Sequence, residues 1–180
     1  MLGGLDLKLT TERLTLRTIE RDPEVVGEII AELKTPLMHD KAIFEYLSVI
    51  ACEEVEEVFG FVHINQGDQL FFIIEDINSG EFIGFIKGMQ SDISKRGLEL
   101  CYFCEESHRG KGYIVEALKA YIKYVKSNFR RFDYMYFYIR QDNMASRSVM
   151  QKIGAKPIDS IITPANEYFL VYAINLREEE

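Results

Sequence analysis

Positive charge is in short supply in this chain. Asp and Glu total 29 against 21 Lys and Arg, for a formal net charge of −8. Sequence-independent binding of nucleic acid needs a basic face, so nucleic acid is not expected as a partner. The same balance leaves room for a cationic substrate such as an amine. Cysteine is scarce too. There are three, Cys52, Cys101 and Cys104, an odd and low number that fits reduced thiols and a cytoplasmic setting. Cys101 and Cys104 have the spacing of half a zinc or redox site. No second Cys/His pair accompanies them, so they are expected as buried structural thiols, with no metal bound. Long apolar runs are missing: none approaches the roughly 20 residues that cross a bilayer. The opening Met1–Asp6 has neither the basic flank nor the apolar stretch of a signal peptide. A membrane is therefore not expected as a partner.

What remains is the composition of a folded protein, 47% hydrophobic and 28% charged over 180 residues. That length suits one domain spanning 1–180. Leu14–Thr18 alternates apolar and polar residues and predicts a half-buried strand. Asp22-Pro23 caps a helix carrying Val25, Val26, Ile29, Ile30 and Leu33, ended by Thr35-Pro36. A second helical region covers about Asp40 to Phe59, and His63–Gln69 reads as a loop. Strands at Leu70–Asp76 and Glu81–Met89 flank a hairpin turn, Ile77–Gly80, where Asn78 and Gly80 would supply positive φ. Leu98–Cys104 is a further strand. From Gly112 to about Phe129, Ile114, Leu118, Tyr121, Ile122, Val125 and Phe129 follow helical spacing. Tyr134–Arg140 is an aromatic-rich strand. Asp142 or Asn143 caps a short helix that stops at Gly154, and Ala155–Ile161 and Asn166–Asn175 form a closing strand pair. The order predicts a mixed α/β domain, a twisted sheet of about seven strands with about four helices.

The stretch with most chemical content is Ser107-His108-Arg109-Gly110-Lys111-Gly112-Tyr113. It joins a strand to a helix start. The first turn of a helix carries unpaired N–H groups and the positive end of the helix dipole, and two glycines let backbone close around phosphate oxygens. A phosphorylated ligand is expected there.

That turn is followed by Glu116-Ala117-Leu118. With Thr11-Glu12-Arg13-Leu14-Thr15-Leu16-Arg17 at the first strand and Asn143 to Gly154 at the later helix, the chain resembles the GCN5-related N-acetyltransferase (GNAT) superfamily. Within it, the chain is most similar to the branch of ribosomal-protein N-terminal acetyltransferases. The resemblance spans nearly the whole chain. It implies an acyl-CoA N-acyltransferase fold, acetyl-CoA as cosubstrate and a primary amine, a protein N-terminus or a small molecule, as acceptor. It implies that the CoA diphosphate lies on the amides of Arg109, Gly110, Lys111, Gly112 and Tyr113, with the Arg109 and Lys111 side chains in support. The pantetheine arm would run beside Phe103 and Cys104, where the strand splays from Tyr134–Arg140, and Asn143 would contact the arm from the other side. A homodimer is left open.

The implied reaction is direct attack of a neutral amine on the thioester. Glu99 is the first choice for the base and Glu75 the second. Backbone N–H at Phe103 or Cys104 would receive the developing oxyanion. Relatives place a Tyr general acid seven residues after the helix Asn, and here that residue is Met150, which donates no proton. Ser146 is the replacement that the branch suggests, against a local capping role. Asn143 reads equally as an N-cap. His108 is expected at the surface, and His39 and His63 show no ligand constellation. Two other readings stay open. One is a non-catalytic acyl-CoA-binding module. The other is a nucleotide site, which lacks the Gly-Lys-Ser/Thr ending and a third glycine.

Overall fold

The computed structural model describes residues 7–18, 70–91 and 94–178. The expected helices between Asp22 and Phe59, the loop at His63–Gln69, His39 and Cys52 lie outside them. Among the described residues the chain runs β1 (Lys8–Thr10), β2 (Leu14–Thr18), β3 (Phe71–Asp76), β4 (Phe82–Gln90), β5 (Gly97–Cys104), a 3-10 turn (Glu106–His108), α1 (Tyr113–Asn128), β6 (Tyr134–Arg140), α2 (Met144–Lys152), β7 (Lys156–Ile162) and β8 (Tyr168–Asn175). The eight strands make one sheet, ordered β1-β2-β3-β4-β5-β6-β8-β7. The mixed α/β class holds. The strand beyond the expected seven is β1, three residues whose pairing with β2 (Lys8↔Arg17, Thr10↔Thr15) is what makes them a strand.

The described residues divide into two compact units, one built from residues 7–18, 70–87 and 102–113, the other from 88–91, 94–101 and 114–178. In the first, β2 pairs antiparallel with β1 and β3. The expected alternation fails in β2. Thr15 and Thr18 are buried alongside Leu14 and Leu16, so neither face is open. The β3–β4 hairpin closes through Asp76, whose Oδ1 accepts from the Asn78 and Ser79 amides at 2.9 Å each. Asn78 therefore does not take positive φ, and only Gly80 does (φ 73°). The aspartate supplies through its side chain the turn expected from the asparagine backbone. Phe82, Phe85 and Phe103 stack along the strands, with ring centroids 6.5 and 5.6 Å from Phe103.

In the second unit α1 buries Ile114, Ala117, Leu118, Tyr121 and Val125, the stripe that its 3.6-residue period dictates. β6 pairs with β8 along its whole length, from Tyr134↔Asn175 to Arg140↔Phe169. Met135, Phe137, Phe169 and Val171 are buried in that pair. β7 is the edge strand and exposed throughout.

Candidate active site

In the first unit the strand-to-helix connection is tightly determined. Glu105, just past β5, turns its carboxylate onto the Ser107 amide (2.8 Å) and hydroxyl. Burial alone would raise the Glu105 pKa. The hydroxyl and amide of Ser107, with His108 and Arg109, outweigh it and hold the carboxyl below its ordinary value. Arg109 follows in extended conformation (φ −65°, ψ 154°), and its Nε donates to the Cys104 carbonyl at 3.0 Å. Gly110 and Gly112 both have positive φ, 75° and 83°, where a side chain would be strained. Nothing lies within 4 Å of where a Cβ would stand on Gly110. The N–H groups of Gly110, Lys111 and Gly112 donate to no other described residue, and Arg109 to Gly112 are all exposed. The sixteen-residue α1 begins at once, at Tyr113. Open amides at a helix start, beside two cations, are the kind of arrangement that favours anions in general.

Two residues with no expected part in this turn, His108 (expected at the surface) and Arg13, shape it. His108 is buried, not at the surface: its Nε2 lies 3.3 Å from Glu81 Oε1, its ring meets Tyr113 edge-on at 5.9 Å, and its Nδ1 has no hydrogen-bond partner. Arg13 donates from Nη1 to the Lys111 carbonyl at 3.1 Å and stands 4.5 Å over the Tyr113 ring. The signal for Arg13 was the Thr11–Arg17 segment itself, quoted for resemblance without a role for its first arginine.

In the second unit β5 and β6 pair in parallel through three positions only, Gly97↔Tyr134, Leu98↔Met135 and Glu99↔Tyr136. The β5–β6 register runs to Glu99↔Tyr136, while β6 stays in register with β8 as far as Arg140↔Phe169. Glu99, half-buried, is the last paired residue. Glu75, by contrast, is taken up by Arg17, whose Nε and Nη2 reach its Oε1 at 2.9 and 2.8 Å.

Asn143 caps α2, its Oδ1 accepting the Ser146 amide at 3.0 Å. The Ser146 hydroxyl takes no part in that bond. Met150 is fully buried, so the helix presents a core side chain where relatives carry the Tyr. The Phe103 side chain is buried as well, which limits any contact of this residue with a ligand to its backbone. Cys101 and Cys104 are in no disulfide and are half-buried, not buried as expected. Among the described residues no group of His, Cys, Asp and Glu could hold a metal ion, and no helix is long and apolar enough to cross a membrane.

A mixed sheet and a glycine turn ahead of a long helix agree with the acyl-CoA-dependent transferase fold that the sequence resemblance implies. Residues 13–156 match the acetyltransferase (GNAT) domain family, and the chain belongs to that family. It is 30% identical over 153 residues to the uncharacterized protein YkkB of Bacillus subtilis (strain 168), covering 82% of this chain and 84% of that one. Among solved structures it is similar to a GNAT-family acetyltransferase from Bacillus anthracis, with 21% identity, TM-score 0.77, and 96% and 100% of the two chains covered. It is also similar to a Salmonella typhimurium acetyltransferase that modifies the N-terminal serine of a 50S ribosomal subunit protein (17%, TM-score 0.73, 92% and 96% covered). A third is the spermidine N-acetyltransferase of Vibrio cholerae, solved with CoA and spermine (16%, TM-score 0.69, 92% and 97% covered). The protein is thus an acyltransferase, and acetyl-CoA is its cosubstrate.

Proposed function

We propose that the chain acts as one acetyltransferase domain that moves the acetyl group of acetyl-CoA to a primary amine by direct attack. The observation that carries this reading is the turn Gly110–Gly112: open amides, two positive-φ glycines and a long helix directly behind them. The diphosphate rests on the amides of Gly110 to Tyr113, with the Arg109 and Lys111 side chains nearby; the Arg109 amide, expected to join them, instead donates to the Glu106 carbonyl at 3.2 Å. The pantetheine arm runs along β5 past Glu99, where the β6 pairing stops, and Phe103 and Cys104 offer it backbone groups. Asn143, besides capping α2, contacts the arm.

The thioester supplies the electrophilic carbon. Glu99 accepts the ammonium proton, so that the neutral amine forms the N–C bond as the C–S bond breaks. Backbone N–H at Phe103 or Cys104 donates to the oxygen that gains charge. Ser146 gives its hydroxyl proton to the departing thiolate and regains one from solvent, the role that Met150 is chemically unable to fill. The acidic stretch containing Glu53, Glu54, Glu56 and Glu57 and the net charge of −8 favour a cationic acceptor. A protein N-terminus and a polyamine, the substrates in the names of two structural relatives, both meet that description. The reduced state of Cys101 and Cys104 supports a cytoplasmic location.

The test is a screen of purified protein with acetyl-CoA against an amine panel, following free CoA thiol, alongside calorimetry of CoA binding. Turnover with at least one amine is expected. Gly110→Asp and Gly112→Asp, which place a carboxylate at the diphosphate, should each weaken CoA at least about tenfold. Wild-type affinity in both variants contradicts the reading.

A further inference from the structure

We propose that Arg13 is a positioning residue for the diphosphate turn, setting the orientation of the Lys111–Gly112 peptide so that the Gly112 N–H faces the ligand. This rests on the reading that the turn holds the CoA diphosphate.

A single guanidinium touches three consecutive residues of the turn. Its Nη1 donates to the Lys111 carbonyl at 3.1 Å. Its Nη2 lies 3.7 Å from the point where a Cβ on Gly112 would stand. Its Cζ sits 4.5 Å above the Tyr113 ring, within the range of a cation–π contact. The Lys111 carbonyl and the Gly112 N–H belong to one peptide plane, and among the described residues there are no cis peptide bonds. In a trans peptide these two groups point in opposite directions. Holding the carbonyl on the Arg13 side therefore turns the N–H to the other side.

Such a hold is needed because of the glycine. A residue without Cβ takes positive and negative φ at similar cost, so the peptide ahead of Gly112 has two accessible orientations. One of them would direct a carbonyl dipole at the incoming phosphate. The Arg13 bond favours the other, with Gly112 at φ 83°.

Arg13 is itself held. Its carbonyl accepts the Ile77 amide at 2.9 Å, and the flanking Thr11 and Leu14 close on each other through Thr11 N–H to the Leu14 carbonyl (2.9 Å) and Leu14 N–H to Thr11 Oγ1 (3.0 Å). The strand entry thus carries the guanidinium as a fixed arm. A lysine would keep the charge but not the planar fork that reaches carbonyl and ring together.

The experiment measures CoA affinity by calorimetry and steady-state kinetics for Arg13→Ala, Arg13→Lys and Arg13→Gln, with Gly110→Asp as the control on the site. Thermal melting confirms that each variant is folded, and the Gly112 amide is followed by NMR. If Arg13 positions the peptide, Arg13→Ala and Arg13→Lys each weaken CoA about tenfold or more and raise the acetyl-CoA KM with little change in kcat. Arg13→Gln, neutral but still able to donate to the Lys111 carbonyl, recovers part of the affinity. The Gly112 amide, which shifts with CoA in the wild type, moves less in Arg13→Ala. Wild-type affinity in Arg13→Ala beside a loss in Gly110→Asp overturns the proposal and leaves the site standing. If Arg13→Lys matches wild type while Arg13→Gln matches Arg13→Ala, charge alone matters, and the positioning role is overturned too. Wild-type affinity in Gly110→Asp removes the underlying site.

Discussion

The ring of Tyr136 lies across Gly97: a Cβ at Gly97 would stand 2.6 Å from Tyr136 Cε2 and 2.9 Å from the Ser91 Cβ. This close approach sits where β5 and β6 are still paired, two positions before they separate. Gly97→Ala forces the ring or the strand to move and is expected to cost about 1–3 kcal/mol by overpacking. Urea denaturation measures this directly. The CoA affinity of the folded fraction should fall as well, because the parting point of the strands shifts with the ring.

Glu99 and Glu75 separate cleanly by substitution. Glu99→Gln keeps the shape of the last paired residue and removes the base. A drop in kcat of about 10²-fold or more with an unchanged acetyl-CoA KM is expected. Excess rate at high pH, where the amine arrives already neutral, should partly restore it. Glu75→Gln loses only the partner of Arg17, so its kcat should match wild type, with a stability change within about 1 kcal/mol. Steady-state kinetics from pH 6 to 10 distinguishes the two.

Ser146 and Asn143 share one helix start but not one job. The cap bond uses the Ser146 amide and the Asn143 carbonyl oxygen. Ser146→Ala leaves that bond in place and should change stability by no more than about 0.5 kcal/mol. Its kcat should nonetheless fall about tenfold or more if the hydroxyl protonates the thiolate. Asn143→Ala removes the cap and should cost about 1 kcal/mol in stability, with weaker CoA binding besides.

Asp133 predicts a specific acid dependence. Hydrogen bonds from Arg96, then Arg177, hold its carboxyl far below the usual carboxylate range, and both guanidiniums also reach the Arg130 carbonyl. A carboxyl with a depressed pKa in the folded state stabilises fully above its unfolded pKa of about 4, and that contribution is lost as pH falls toward the folded value. Asp133→Asn should therefore melt below wild type at pH 7. The gap should hold down to about pH 5 and close progressively below about pH 4. Calorimetric melts across that range check it, and a gap that widens in acid would contradict the assignment.

The elements legible in the residues are those whose order is local. Tyr134–Arg140 reads as a strand because aromatic and β-branched side chains favour a pleated surface. The α1 stripe repeats with the period of the helix, and the glycine turn is marked by residues that only positive φ requires. What was not legible depends on partners far along the chain. β1 is a strand because β2 lies beside it. His108 is buried because Glu81 and Tyr113 close over it. Arg13 reaches a carbonyl 98 residues away, a distance no window of local pattern spans. The hairpin was placed correctly but by the wrong residue: Asp76 organises it through its side chain, a competition that residue type alone does not resolve. For the candidate site, the positive-φ glycines of the turn were readable, and the Arg17–Glu75 pair was not.

The most direct test is a titration of 15N-labelled protein with CoA, followed at the amides of Gly110, Lys111, Gly112 and Tyr113. The account predicts that these four move first and furthest, saturating with the calorimetric affinity, and that they are silent in Gly110→Asp. Saturable CoA binding that leaves all four unmoved, with the largest shifts elsewhere in the chain, would contradict it.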